Sequence, residues 1–100
     1  MAAPEVLEAG GLRLRLRVLD PADMLDLIEA AGENSDNRAW LRFAMLVCSV
    51  EAIDEVPAPF PRDVAGIKAL ARRLGTDALN AVRVRLQARD RALETTTAKN

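Results

Sequence analysis

The chain has 100 residues and a formal net charge of −1, from 14 Lys plus Arg against 15 Asp plus Glu. Its size limits it to one modest domain, and the absence of His removes the usual neutral-pH general base and the commonest metal ligand. The near-zero charge argues against a strongly basic nucleic-acid binder, yet it hides a division: residues 1–60 hold 5 basic and 11 acidic side chains, residues 61–100 hold 9 and 4.

Residues 1–11, with Pro4 and Gly10-Gly11, read as a flexible N-terminal arm or turn. Leu12, Leu14, Leu16 and Val18 then alternate with Arg13, Arg15 and Arg17, the period of a half-buried strand. Its apolar face must pack on something, and its Arg face is either solvated or meets an acidic partner. Such a strand also needs a neighbour, from this chain or from another copy.

Asp20-Pro21-Ala22-Asp23 starts a helix near 21–31, with Met24, Leu25, Leu27 and Ile28 on its apolar face and Gly32 as its stop. A second helix is expected over roughly 36–49. It is apolar nearly all round, as in a central helix buried by several neighbours. Trp40 and Phe43 read either as core aromatics or as partner-facing ones, and Cys48 as an inert buried thiol. Mild alternation about Asp54-Glu55 predicts a short hairpin near 50–57. Pro57-Ala58-Pro59-Phe60-Pro61 is a stiff connector, with Phe60 either plugged into the core or presented to a partner.

Pro61 opens a third helix, with Val64, Ile67, Leu70, Ala71 and Leu74 on one face, ending at Gly75. Thr76 caps a fourth, running to about Glu94. At about 100° per residue, Leu79, Val82, Leu86 and Leu93 form a seam within roughly 60° of arc. Arg85 and Arg89 flank that seam, while Arg83 and Arg91 lie elsewhere around the helix, so the arginines form no single nucleic-acid stripe. Residues 95–100 read as a disordered tail. The expected fold is mainly α: about four helices with an N-terminal β-strand and a short β-hairpin, as a single helical domain over 12–94.

No catalytic, cofactor-binding or metal-binding residues are assigned. Asp20, Asp23, Asp26 and Glu29 drift across an outer helix face and read as solvated; Gly10-Gly11 lacks the spacing of a phosphate loop. One Cys cannot close an intramolecular disulfide, which suits a reducing compartment. The N-terminus lacks a basic segment followed by an apolar run, and no apolar stretch approaches the roughly 18–20 residues that span a bilayer. A non-enzymatic, cytoplasmic protein that binds other proteins is expected. Its candidate contacts are Leu79, Val82, Leu86, Leu93, Arg85 and Arg89 on the seam, Pro57, Pro59 and Phe60 on the connector, and Arg13, Arg15 and Arg17 on the strand. The seam either lies in a partner's groove or packs on the acidic first part of its own chain.

The run Trp40-Leu41-Arg42-Phe43-Ala44-Met45-Leu46-Val47-Cys48-Ser49-Val50, followed by Ile53-Asp54-Glu55-Val56-Pro57-Ala58-Pro59-Phe60-Pro61, resembles the small phage tail assembly chaperones. Those proteins are similar in order: a strand-like start, an acidic helix, a Trp-bearing apolar helix, an Ile-Asp-Gly-Val-Pro type turn, and a helix ending in Leu-Gly, here Leu74-Gly75. The likeness covers roughly residues 12–86 and carries no catalytic signature. Glu55 stands where the pattern has Gly, which counts against a tight turn with positive φ there.

The resemblance implies a protein of the host bacterial cytoplasm, from a phage or prophage, that keeps tape measure or tail tube protein soluble and is absent from the mature virion. Self-association is compatible with it; membrane and nucleic acid are not expected as partners. Such proteins often occur in short and frameshift-extended forms, and Ala98-Lys99-Asn100 could be encoded by an A-rich slippery run. The alternative function is a small dimerising DNA-binding regulator or antitoxin-like protein.

Overall fold

The computed structural model describes residues 5–98, with side chains through Ala92. Its first element departs from expectation. Glu5–Ala9, placed by the sequence in a flexible arm, forms strand β1 and pairs antiparallel with β2 (Leu12–Leu16), in the register Glu5↔Leu16, Leu7↔Leu14 and Ala9↔Leu12. Gly10 and Gly11, at φ 58° and 76°, form the two-residue turn between them. Positive φ at both central positions is the pattern whose twist matches paired strands, and Gly adopts it without strain.

β3 (Val50–Ile53) pairs with the other edge of β2, and β4 (Val56–Pro57) with β3. The result is a four-stranded antiparallel sheet in the order β1-β2-β3-β4. The alternation in β2 works as its period dictates. Leu14 and Leu16 are buried in the core, whereas Arg13 and Arg15 lie exposed on the opposite face with Val6 and Glu8.

Helix α1 (Pro21–Ala31) begins in a reciprocal cap. Asp23 N donates to Asp20 Oδ1 at 2.7 Å, and Asp20 N donates to Asp23 Oδ2 at 3.0 Å. It buries Leu27, Ala30 and Ala31, and leads through a 3-10 turn (Gly32–Asp36) into α2 (Arg38–Cys48). Asn37 caps α2 by accepting from Trp40 N at 3.1 Å. The expectation that α2 is buried on all sides is corrected here: Ala44, Val47 and Cys48 are buried, Trp40 is half-buried against the core, and Phe43 is 53 % exposed. The C-terminal helix, α1 and β3 cover one part of this helix and leave the Phe43 side of its wide apolar arc open.

Helix α3 spans Val64–Ala98. Asp63 precedes it as cap, its Oδ1 accepting from Gly66 N at 2.7 Å, so the helix begins later than Pro61. The third and fourth expected helices are one helical element bent at Gly75, where φ is 82° and ψ 172°. Gly75 acts as a kink because the helix resumes at once, with no connecting loop. Helical residues predominate among those described, but the four-helix expectation is overturned: three α-helices pack with a four-stranded sheet. Residues 95–98, expected in a disordered tail, carry helical backbone; Lys99 and Asn100, with residues 1–4, lie outside the described residues.

The core lies between the sheet's inner face and the helices. Leu14, Leu16, Val50 and Ile53 from the sheet meet Leu27, Val47, Ile67, Leu74 and Val82 from the helices. Among the described residues, no helix is long and apolar enough to cross a membrane.

Candidate functional site

Most of the sequence-derived contact residues are engaged within the chain. On α3, Leu79 and Val82 are buried and Leu86 packs against the core, so the described part of the seam faces its own domain. The side chain of Leu93 lies outside the described residues. Arg85 Nη1 donates to Glu5 Oε2 at 2.9 Å, and Arg89 Nη2 donates to the other oxygen, Oε1. These two guanidiniums fasten β1 to α3 and hold the Glu5 carboxyl below its ordinary pKa, chiefly through hydrogen bonding from Arg89 and then Arg85.

The Arg face of the strand divides. Arg13 and Arg15 are exposed, Arg13 Nη1 lying 3.7 Å from Glu55 Oε1. Arg17, beyond the end of β2, turns inward. Its Nη2 donates to the carbonyls of Val50 at 3.1 Å and Ala58 at 3.0 Å, and its guanidinium lies 5.5 Å from the centre of the Phe60 ring. Arg17 therefore ties the proline-rich connector to β3. Phe60 is half-buried against the core, which makes it an anchor for that connector. Pro57 and Pro59 are exposed.

Cys48 is fully enclosed, and burial pushes its thiol up to about 11, leaving it protonated at neutral pH. Ser49 beside it, also buried, donates from Oγ to the Met45 carbonyl at 2.7 Å. Among the described residues, no group of three or more His, Cys, Asp or Glu is placed to hold a metal ion.

An open surface of more apolar character lies elsewhere, where α2 passes the bend in α3. Phe43 and Leu46 of α2 face Ala71, Gly75 and Leu79 of α3 across a groove of about 520 Å³. Arg72 and Arg83 stand at its margins, both exposed, and Arg83 donates to Asn80 Oδ1 at 3.2 Å. Neither arginine makes an ion pair among the described residues. The sequence explains the local shape. Positive φ at Gly75 turns the helix away from a straight path, and a Cβ there would meet nothing within 4 Å. The bend lies beside this open space, and Gly75 itself lines the groove.

Of the sequence-derived candidates whose side chains are described, Leu79 alone lines this groove, 7 % exposed. Leu46, Arg72 and Arg83 were not among them, and Phe43 was read only as either a core or a partner-facing aromatic. The available signal was the width of the apolar arc on α2: at about 100° per residue, Phe43 and Leu46 lie at the edge of that arc, away from Ala44 and Cys48. An apolar segment with carboxylates along its side fits the arrangement, with side chains seated on Phe43, Leu46 and Leu79 and the acids meeting Arg72 and Arg83. Comparison with protein-family models, curated proteins and solved structures finds no match to this chain.

Proposed function

We propose that this chain is a tail assembly chaperone of the kind its sequence resembles. In this reading it holds an acidic amphipathic segment of tape measure protein or tail tube protein in the groove at Gly75. The observation that carries the proposal is the half-exposed Phe43 in an apolar groove whose two bordering arginines lack carboxylate partners. A holding protein needs a surface of this kind: apolar area for affinity, and charge for orientation and fast, reversible capture. It acts without bond chemistry, in the host bacterial cytoplasm, and leaves before the tail is complete. The engagement of Arg85 and Arg89 with Glu5 favours this reading over a DNA-binding regulator, which would need those cations for phosphates.

Coexpression tests it. The wild-type chain should keep a tube protein or long tape measure protein encoded beside it in the soluble fraction and copurify with it. Phe43→Asp should abolish both effects without altering the melting temperature, since Phe43 is outside the buried core. Soluble neighbours with no complex, an undiminished effect of Phe43→Asp, or tight salt-sensitive binding to duplex DNA would overturn the proposal.

A further inference from the structure

Helix α1 carries a ridge that its own fold leaves uncovered. Leu27, Ala30 and Ala31 face the core, whereas Leu25 is 68 % and Ile28 43 % exposed. These two are three residues apart and share one helix face. Asp26 and Glu29 lie beside them, exposed and without an ion pair among the described residues. The ridge is thus an apolar pair bordered by two carboxylates without ion pairs, and the groove at Gly75 is an apolar floor bordered by two guanidiniums without carboxylate partners among the described residues.

The two surfaces match in character and opposite charge, and one chain cannot join its own. The buried face of α1 is committed to its core, no residue of α1 lines the groove, and Leu25 and Ile28 point away from the core. We propose that α1 of a second copy of this chain occupies the groove, Leu25 and Ile28 seated against Phe43 and Leu79, with Asp26 and Glu29 facing Arg72 and Arg83. The inference rests on the reading of this groove as the client site and adds its regulation: copies cover one another's sites until a client segment displaces α1. Two copies that exchange α1 reciprocally close into a dimer with both grooves filled. Client binding then weakens as protein concentration rises, because the competitor is the protein itself.

Light scattering coupled to size exclusion, on the protein alone, tests the pairing. Wild type should elute as a dimer that dissociates on dilution and in high salt. Leu25→Asp/Ile28→Asp and Arg72→Glu/Arg83→Glu should each be monomeric with an unshifted melting temperature, every substitution lying at an exposed position. Mixed together, the two variants should form a 1:1 complex, since the first keeps an intact groove and the second an intact α1. A monomeric wild type, unimpaired dimerisation of both variants, or failure of the mixture to associate would overturn the proposal. The client reading is judged separately: Leu25→Asp/Ile28→Asp should still bind tape measure or tube protein, about tenfold more tightly than concentrated wild type. Client binding by a monomeric wild type would overturn self-docking alone.

Discussion

Glu5 shows how much a single side chain can organise. One carboxylate, a third exposed, receives two guanidiniums from the far end of the chain and converts a short segment into a docked strand. Its pKa is lowered by folding. The stabilisation is therefore complete above the unfolded-state pKa and is lost as pH falls through the lower folded-state value. Glu5→Gln should cost about 1 kcal/mol at neutral pH, a figure kept small by solvent screening. The difference from wild type should shrink as pH falls through that lowered folded-state value, where wild-type Glu5 also becomes neutral. Denaturant melts of both proteins across that range check the sign; a pH-independent difference would refute the assignment. Arg17 is organised in the opposite sense, with its charge turned inward onto two carbonyls. Its Nε is buried with no hydrogen-bond partner among the described residues, a cost accepted for fastening the connector.

At the scale of elements, the hairpin β3–β4 turns through Asp54 and Glu55, at φ 49° and 70°. The turn forms although Glu occupies a position that favours Gly. Its neighbour explains part of this: Asp54 Oδ1 accepts from Arg13 N at 2.8 Å and Asp54 N donates to Arg13 O at 2.7 Å, which fixes the turn against β2. Glu55 bears the left-handed strain, offset only by an exposed ion pair with Arg13. Glu55→Gly should raise stability by roughly 0.5–1 kcal/mol, seen as a higher denaturation midpoint with an unchanged slope.

The same scale shows what was legible beforehand. The strand at β2 announces itself by strict alternation of Leu and Arg, and the start of α1 by Asp20-Pro21. β1 does not: Val6 and Leu7 break the alternation, and the strand owes its place to a Gly-Gly turn and to a carboxylate partner some eighty residues away. The break at Gly75 is readable, but whether a new helix begins there or the same one resumes depends on tertiary packing. The groove was legible only as surplus apolar arc on α2; its basic border comes from α3, which no local pattern joins to α2.

For the whole molecule, the division between an acidic first part and a basic second part becomes spatial. Part is satisfied internally, where Glu5 meets Arg85 and Arg89. Other charges stay exposed, among them Asp26 and Glu29 on α1 and Arg72 and Arg83 at the groove, so association rather than folding should carry most of the salt dependence.

The clasp between Glu5 and Arg89 also sets an order of events in time. The two residues are 84 positions apart in sequence. A ribosome delivering the chain therefore exposes β1, able to pair with β2, long before the side chains that clasp it exist, and the full clasp cannot close until Arg89 has emerged. The loop closed by that contact takes in nearly the whole chain, so the step comes late and is slow relative to local helix formation. A chain ending after Val82 should leave the amides of β1 exchanging rapidly with solvent deuterium while those of β3 stay protected; equal protection in both strands would show that the clasp is dispensable. The clasp is thus the last of the described contacts of β1 that synthesis makes possible.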